Sequence, residues 1–184
     1  TCRFVTLLPL SLPLGVVSGT TADEPDGTPT NQPVGRWAVL AIVSVALFAT
    51  TFTRTVVSPV AGGVIGDLGV DAAAFGLAST ALWAAYASTQ LPAGLLGDRF
   101  GERRVVVGAV ALTVVAGLGL AASPTFLVFA AFVVLLGAGN GMQYPPGVTL
   151  ITRRFANTGR ALGIHIAAAP TAGLVAPPVA TLVA

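Results

Sequence analysis

Five long apolar stretches divide the chain from Arg36 onward, and short polar turns separate them. A helix needs about 20 residues to cross the roughly 30 Å of hydrocarbon in a bilayer. A transmembrane barrel would need short strands of alternating polarity, and the pattern contains no such alternation. We therefore predict five membrane-spanning helices, at about residues 37–59, 72–96, 105–122, 126–151 and 161–184.

The composition favours lipid as the solvent for these helices. Of the 184 residues, 54% are hydrophobic and 9% are charged, whereas about 25% of a typical soluble domain is charged. A chain this small has too much surface for all of its apolar residues to be interior. The predicted fold class is therefore an all-α membrane protein, in which the 22 glycines suit close packing of helices.

The same composition argues against several kinds of site. Cys2 is the single cysteine, so neither a disulfide within the chain nor a cysteine-rich metal site is expected. The sequence lacks a nucleophile–base pair, a cluster of metal ligands and a basic, aromatic surface for nucleic acid. We predict that the chain is not an enzyme and that it binds no cofactor, no metal and no nucleic acid.

The first 35 residues form a separate segment. Residues 4–17 are apolar but short and broken by proline, and with Arg3 before them they resemble a signal peptide. Residues 20–33 are acidic and proline-rich, a composition typical of disorder. We predict a tail over residues 1–35, disordered or signal-like, and a transmembrane helical bundle over residues 36–184.

The placement of the arginines predicts the orientation. Loops that carry arginine alternate with loops that carry none, and cytoplasmic loops are the ones enriched in basic residues. Asp67, Asp71 and Ser123 mark the loops without a base. We expect a prokaryotic plasma membrane protein whose N-terminus is cytoplasmic together with Arg36, Arg99, Arg103, Arg104, Arg153, Arg154 and Arg160.

Arg54 departs from this pattern, because it lies inside the first apolar stretch. An arginine at the centre of a spanning helix costs on the order of 2.5–3.5 kcal/mol on insertion scales. One interpretation is that its side chain snorkels to the outer interface. The other is that it belongs to a polar stripe at helical spacing, which faces a cavity where the cation attracts an anion. That stripe comprises Thr51, Arg54, Thr55 and Ser58.

Two further stretches carry polar stripes at the same spacing. The residues of the stripe on the second stretch either pack between helices or line a cavity. They are Thr80, Trp83, Tyr86, Gln90 and Gly94. On the fourth stretch, Gly137 and Gly141 are spaced for close helix packing. Asn140 lies between them and needs a partner in an apolar core, so it bonds across helices or lines the cavity.

Prolines and a histidine also interrupt the apolar stretches. Proline removes a helical hydrogen bond, so we predict broken helices, which membranes tolerate beside cavities. His165 lies near the start of the fifth stretch, where it either titrates near neutral pH or serves as a structural hydrogen-bonding residue. The prolines are Pro145 and Pro146 on the fourth stretch, and Pro170, Pro177 and Pro178 on the fifth.

The turn between the second and third stretches is short, glycine-broken and charged, and reads Gly-Leu-Leu-Gly-Asp-Arg-Phe-Gly-Glu-Arg-Arg. It resembles the loop after the second helix of major facilitator superfamily transporters, Gly-x-x-x-Asp-Arg/Lys-x-Gly-Arg-Arg/Lys. Glu102 replaces the first arginine of the closing pair. The resemblance implies a gating motif made of Gly94, Asp98, Arg99, Gly101 and Arg103.

The second stretch is similar to the anion:cation symporter branch of that superfamily, whose members read Ser/Thr-x5-Tyr-x3-Gln-x-Pro-x-Gly. Arg54 falls where that branch places a substrate-binding arginine. Thr53 and Asn140 stand where the branch usually has carboxylates, so proton exchange at these positions is not expected. The resemblance implies a substrate site made of Arg54, Tyr86, Gln90 and Asn140.

The resemblance implies five of the six helices of an N-terminal transporter half. We expect secondary active transport of a small, anionic solute by alternating access, here in an N-terminal fragment. The expected partners are that solute, the lipid bilayer and a C-terminal transporter half outside this chain. The alternative is a small multi-pass membrane protein that does not transport and packs against a partner.

Overall fold

The structure is a computed structural model that describes residues 35–59 and 61–183. The predicted tail, apart from Gly35, lies outside the described residues. Within the described ranges every regular element is a helix, which confirms the predicted all-α class. The helices are α1 (Arg36–Val56), α2 (Ala61–Leu68), α3 (Ala72–Phe100), α4 (Glu102–Ala121), α5 (Phe126–Thr152) and α6 (Thr158–Val183).

The short helix α2 was not predicted, and it extends the first crossing of the bundle. At 8 residues it is about 12 Å long, too short to span a membrane. Its Val64 and Leu68 pack on an apolar cluster that includes Phe75 and Phe126, from the first turns of α3 and α5. Therefore α2 lies at the end of the bundle where α3 and α5 begin, and it continues the path that α1 starts at the other end.

The break between α1 and α2 comes at Pro59, whereas the prolines that predicted broken helices lie inside continuous ones. Helix α5 runs through Pro145 and Pro146, and α6 runs through its three prolines. The prediction of breaks at these positions was wrong. In a membrane protein, neighbouring helices, Ser/Thr side chains and local adjustments can satisfy the backbone groups that a proline frees, so a helix can continue through it.

Helix α5 occupies the centre of the bundle: it packs most extensively against α3 and α4 and also contacts α1 and α6, while α1 packs mainly against α6. Glycines allow the close approach. A Cβ atom at Gly137 would overlap the carbonyl of Leu82, and one at Gly141 would overlap that of Tyr86. On the opposite side, a Cβ at Gly139 would come 2.7 Å from the Thr113 hydroxyl. The predicted close packing at Gly137 and Gly141 is confirmed.

Two apolar clusters fill the two ends of the bundle. One lies where α3 and α5 begin and is built around Leu82, Phe129 and Leu136. The other lies at the arginine-rich end, where Leu40 packs with the cluster that holds Phe155. Outside these clusters, buried polar side chains accompany small and apolar ones, and among the described residues the buried polar side chains are Thr50, Thr51, Thr113, Asn140, Gln143 and His165.

The outer surface of the bundle is apolar, as a lipid-facing surface must be. Leu91, Leu127 and Leu174 are each more than 75% exposed. Among the described residues, four helices are long and apolar enough to cross a membrane: α1, α4, α5 and most of α6. Helix α3 has 29 residues, which exceeds the length required. Its polar stripe lowers its hydropathy. Four of the five predicted spanning helices are therefore both long and apolar enough to span, and α3 is long enough but less apolar.

Candidate functional site

Arg54 reaches from α1 to two aromatic rings of α3. Its guanidinium carbon lies 4.4 Å from the centroid of the Trp83 indole and 4.9 Å from that of the Tyr86 ring. The two rings stand nearly perpendicular, at 77° with centroids 5.7 Å apart. Both distances fall within the range of cation–π attraction. The cation therefore sits in the corner that the two rings form.

Arg54 also lies deeper than the sequence suggested. Because α2 continues the first crossing, Arg54 lies near the middle of the segment from Arg36 to Leu68. Its ring partners lie near the middle of α3, which supports the same depth. In the described part of the chain no carboxylate comes within ion-pair distance of this arginine. The guanidinium therefore contacts α3 near the middle of both helical segments.

Several threonine hydroxyls on and beside the two polar stripes bond within their own helices. The Thr55 hydroxyl donates to the Thr51 carbonyl at 2.8 Å, and the Thr53 hydroxyl donates to the Ala49 carbonyl at 2.9 Å. On α3, the Thr80 hydroxyl donates to the Gly76 carbonyl at 2.9 Å. These three hydroxyls are satisfied locally, whereas Arg54 reaches from α1 to α3.

The other two predicted site residues lie near the aromatic corner without a described contact to Arg54. Gln90 is half-buried, one turn of α3 beyond Tyr86. Asn140 is buried, and its side-chain amide donates to the Leu136 carbonyl of its own helix at 3.0 Å. Its neighbour Gly141 lies against the Tyr86 carbonyl. The structure thus joins Arg54 to Tyr86, whereas no described contact joins Gln90 or Asn140 to either of them.

A second buried polar group joins α1, α5 and α6, and the sequence analysis named only His165 from it. His165 is completely buried, with its Nδ1 atom 3.4 Å from the Ser44 hydroxyl. The Gln143 amide donates to the Val43 carbonyl at 3.5 Å, and both Gln143 Oε1 and His165 Nε2 lack a partner. Gln143 lies three residues after Asn140, so an extended polar face on α5 was the available signal.

The charged turn holds three helix ends together through Arg153. This arginine pairs with Glu102 at 2.6 Å and with Asp98 at 3.7 Å. Glu102, the residue that departs from the family pattern, is the better buried partner, since its side chain is 12% exposed against 69% for Asp98. The ion pairs connect the end of α3, the start of α4 and the end of α5.

The remaining gating-motif residues differ in their roles. Gly101 has φ of 89°, a conformation that side chains other than glycine rarely adopt, and its N–H caps α3 on the Gly97 carbonyl at 2.9 Å. The Arg99 guanidinium lies 5.3 Å from the Phe100 ring. Arg103 is exposed, and a Cβ at Gly94 would meet open space.

An apolar groove of about 230 Å³ lies between α1 and α4, and Thr50, Thr53 and Thr113 are among its lining residues. Arg54 is not part of that lining. Within residues 35–59 and 61–183, no three histidine, cysteine, aspartate or glutamate side chains are grouped to hold a metal ion.

The sequence of the chain also matches a known protein family over most of its length. Residues 43–184 match the Major Facilitator Superfamily. The chain belongs to the major facilitator superfamily. No solved structure gives a significant match to it. Together with the apolar helices, membership makes the chain an integral membrane protein.

Several curated relatives in the superfamily are similar to the chain. A probable actinorhodin transporter of Streptomyces coelicolor is 33% identical over 71% of this chain and 23% of its own length. An uncharacterized MFS-type transporter, Rv1250, of Mycobacterium tuberculosis is 32% identical over 77% of the chain and 25% of its own length. A probable sulfoacetate transporter, SauU, of Cupriavidus necator is 28% identical over 80% of the chain and 35% of its own length. The chain thus spans about a quarter to a third of these relatives.

Proposed function

We propose that this chain supplies most of the N-terminal half of a secondary transporter that moves a small anionic solute by alternating access. Residues 36–184 form the proposed bundle, with five of the six helices of that half and α2 as part of the first. In transporters built from two such halves, substrate binds near the membrane midplane at the interface between them. The proposed partner is therefore a C-terminal half outside this chain.

The observation that carries the anion assignment is the position of Arg54. An arginine in a spanning segment faces the bundle interior or a water-filled cavity. The rings of Trp83 and Tyr86 attract its cation, but they carry no negative charge. A guanidinium presents N–H donors in a planar fork that suits a carboxylate or phosphate. An anionic solute would supply the missing charge.

The relatives support the general assignment. The three relatives above are all described as transporters, one of them as a probable sulfoacetate transporter. Sulfoacetate is an organic anion, in agreement with a cationic site. We extend the proposal to the anion:cation symporter branch, on the stripe of Tyr86 and Gln90 beside Arg54. Thr53 and Asn140 cannot exchange a proton, so the coupling ion would bind elsewhere.

Binding of matched ligands to the purified full-length protein tests the assignment. We expect carboxylates and phosphates to bind, and the corresponding neutral amides and alcohols not to bind, in isothermal titration calorimetry. Arg54→Gln should abolish anion binding, whereas Arg104→Gln, at the charged turn, should retain it. Equal binding of neutral and anionic members of a pair, or unchanged anion binding in Arg54→Gln, would refute the anion assignment.

A further inference from the structure

Trp83 presents a large apolar surface directly beside the cation of the proposed site. Its side chain is 55% exposed, and the Arg54 guanidinium carbon lies 4.4 Å from its ring. Intramembrane arginines face the interior of a bundle or an aqueous cavity rather than lipid. Because Trp83 contacts the guanidinium, its exposed indole lies directly beside the proposed anion site.

The contacts in the corner leave part of the indole and the N–H groups of Arg54 without a protein partner among the described residues. Tyr86 closes one side, since its ring is nearly perpendicular to the indole at 5.7 Å and its own face contacts the cation at 4.9 Å. Among the described residues no hydrogen bond from the Arg54 guanidinium is present, so its N–H groups remain available for a bidentate anion. A ligand held at those edges brings the rest of its body beside the uncovered part of the indole.

We propose that this site selects anions whose charged group is attached to a flat aromatic ring, with aromatic carboxylates as the substrate class. Arg54 binds the carboxylate, and Trp83 stacks on the ring that carries it. This inference rests on the proposed anion transport and adds the specificity-determining residue. Aromatic side chains favour stacked or edge-to-face partners beyond the area that each of them buries, so a flat ring gains more here than a puckered ring of the same size.

The experiment compares benzoate with cyclohexanecarboxylate, which has the same charge and similar bulk but a puckered saturated ring. Acetate serves as the carboxylate that carries no ring. We expect benzoate to bind the purified full-length protein on the order of tenfold more tightly than cyclohexanecarboxylate, and acetate to bind most weakly. Trp83→Leu should remove the difference between the two rings, while Trp83→Phe should retain most of it.

Trp37→Leu is the matched control, because Trp37 is also exposed but packs edge-on against Phe155 at 5.3 Å at the arginine-rich end. That variant should keep the preference for benzoate. Far-UV circular dichroism of each variant establishes that it has folded, and Trp83→Met, which also removes the ring and should lose the preference, provides the test if Trp83→Leu does not fold.

The outcomes separate this inference from the proposal beneath it. If all three carboxylates bind through Arg54 but the two ring acids bind equally, the anion site stands and the aromatic selectivity is wrong. A benzoate preference that persists in Trp83→Leu would also overturn the role of Trp83. If no carboxylate binds, the proposed function and the aromatic selectivity fail together.

Discussion

Arg54 receives partial compensation for its position in the membrane from two ring faces. A cation–π contact contributes about 0.5–1 kcal/mol at exposed sites and about 2 when desolvated. Placing an arginine at the centre of a spanning helix costs on the order of 2.5–3.5 kcal/mol. The Trp83 and Tyr86 contacts therefore offset much of the cost without neutralising the charge. A bound anion would contribute the charge-assisted hydrogen bonds that the rings cannot form.

The glycines of α5 set how closely it approaches its neighbours, and this makes a testable prediction at one residue. Gly137→Ala places a methyl group on the Leu82 carbonyl, and backbone cannot rotate aside as a side chain can. We expect a loss of about 1–3 kcal/mol of stability, the usual cost of overpacking. The midpoint of thermal unfolding in detergent, followed by circular dichroism, measures the effect.

Gly108→Ala is the matched control for that variant, because a Cβ at Gly108 meets no atom within 4 Å. Alanine has the higher helix propensity, so this change should be neutral or stabilising. A Gly137→Ala protein as stable as Gly108→Ala would show that α3 and α5 are not held as closely as the structure indicates.

At the scale of helix ends, Arg153 pairs unequally with two acids. Asp98 is 69% exposed at 3.7 Å, whereas Glu102 is 12% exposed at 2.6 Å. Exposed ion pairs contribute about 0–1 kcal/mol, and the Arg153 side chain is 61% exposed in both pairs. We therefore expect Glu102→Gln to lower unfolding stability by about 1 kcal/mol at most, and Asp98→Asn, at the longer and more exposed contact, to lower it less.

The role in gating requires a different measurement on the same end of the bundle. By the family resemblance, Asp98→Asn in the full-length protein should reduce the transport rate while membrane insertion stays normal. Arg154→Gln, at the position after Arg153, is the control and should transport at the wild-type rate. Normal transport by Asp98→Asn would leave the turn with a role in topology alone.

The long helices were predictable because each is a long apolar run closed by glycine, proline or charge. The break after α1 was placed correctly near Pro59, but α2 was missed because its short segment is rich in glycine and bounded by loop signals. This omission put Arg54 too close to the outer interface. The prolines of α5 and α6 led to a wrong prediction of helix breaks. Neighbouring helices and local hydrogen bonds sustain a helix there that the low helix propensity of proline would end.

For the candidate site, helical spacing predicted which residues share a helix face but not which residues of different helices are in contact. Tyr86 and Trp83 recur on one face of α3, but their contact with Arg54 depends on how α1 and α3 lie against α5. The buried group of Ser44, Gln143 and His165 brings together three helices far apart in sequence, and no local pattern predicts it. Glu102 was noticed as a departure, while its ion pair with Arg153 required the structure.

For the whole molecule, the orientation across the membrane remains a prediction from the arginine pattern. Single cysteines at Thr125 and Ala156, in a Cys2→Ser background, report on opposite ends of the bundle, and both positions are exposed. An impermeant thiol reagent added to intact cells should label the Thr125→Cys protein and spare Ala156→Cys. Permeabilised cells provide the control, in which both should be labelled. The reverse pattern in intact cells would place the arginines outside.

The central claim, that Arg54 binds the transported anion through its planar fork, is tested most directly by counterflow in proteoliposomes. Full-length wild-type protein and Arg54→Lys are compared for uptake of labelled benzoate against an internal load of the same anion, with Arg104→Lys as the control. Lysine keeps the charge but lacks the fork, so we expect Arg54→Lys to lose tenfold or more of the rate at subsaturating substrate, and the control to lose little. Wild-type counterflow by Arg54→Lys would contradict the account.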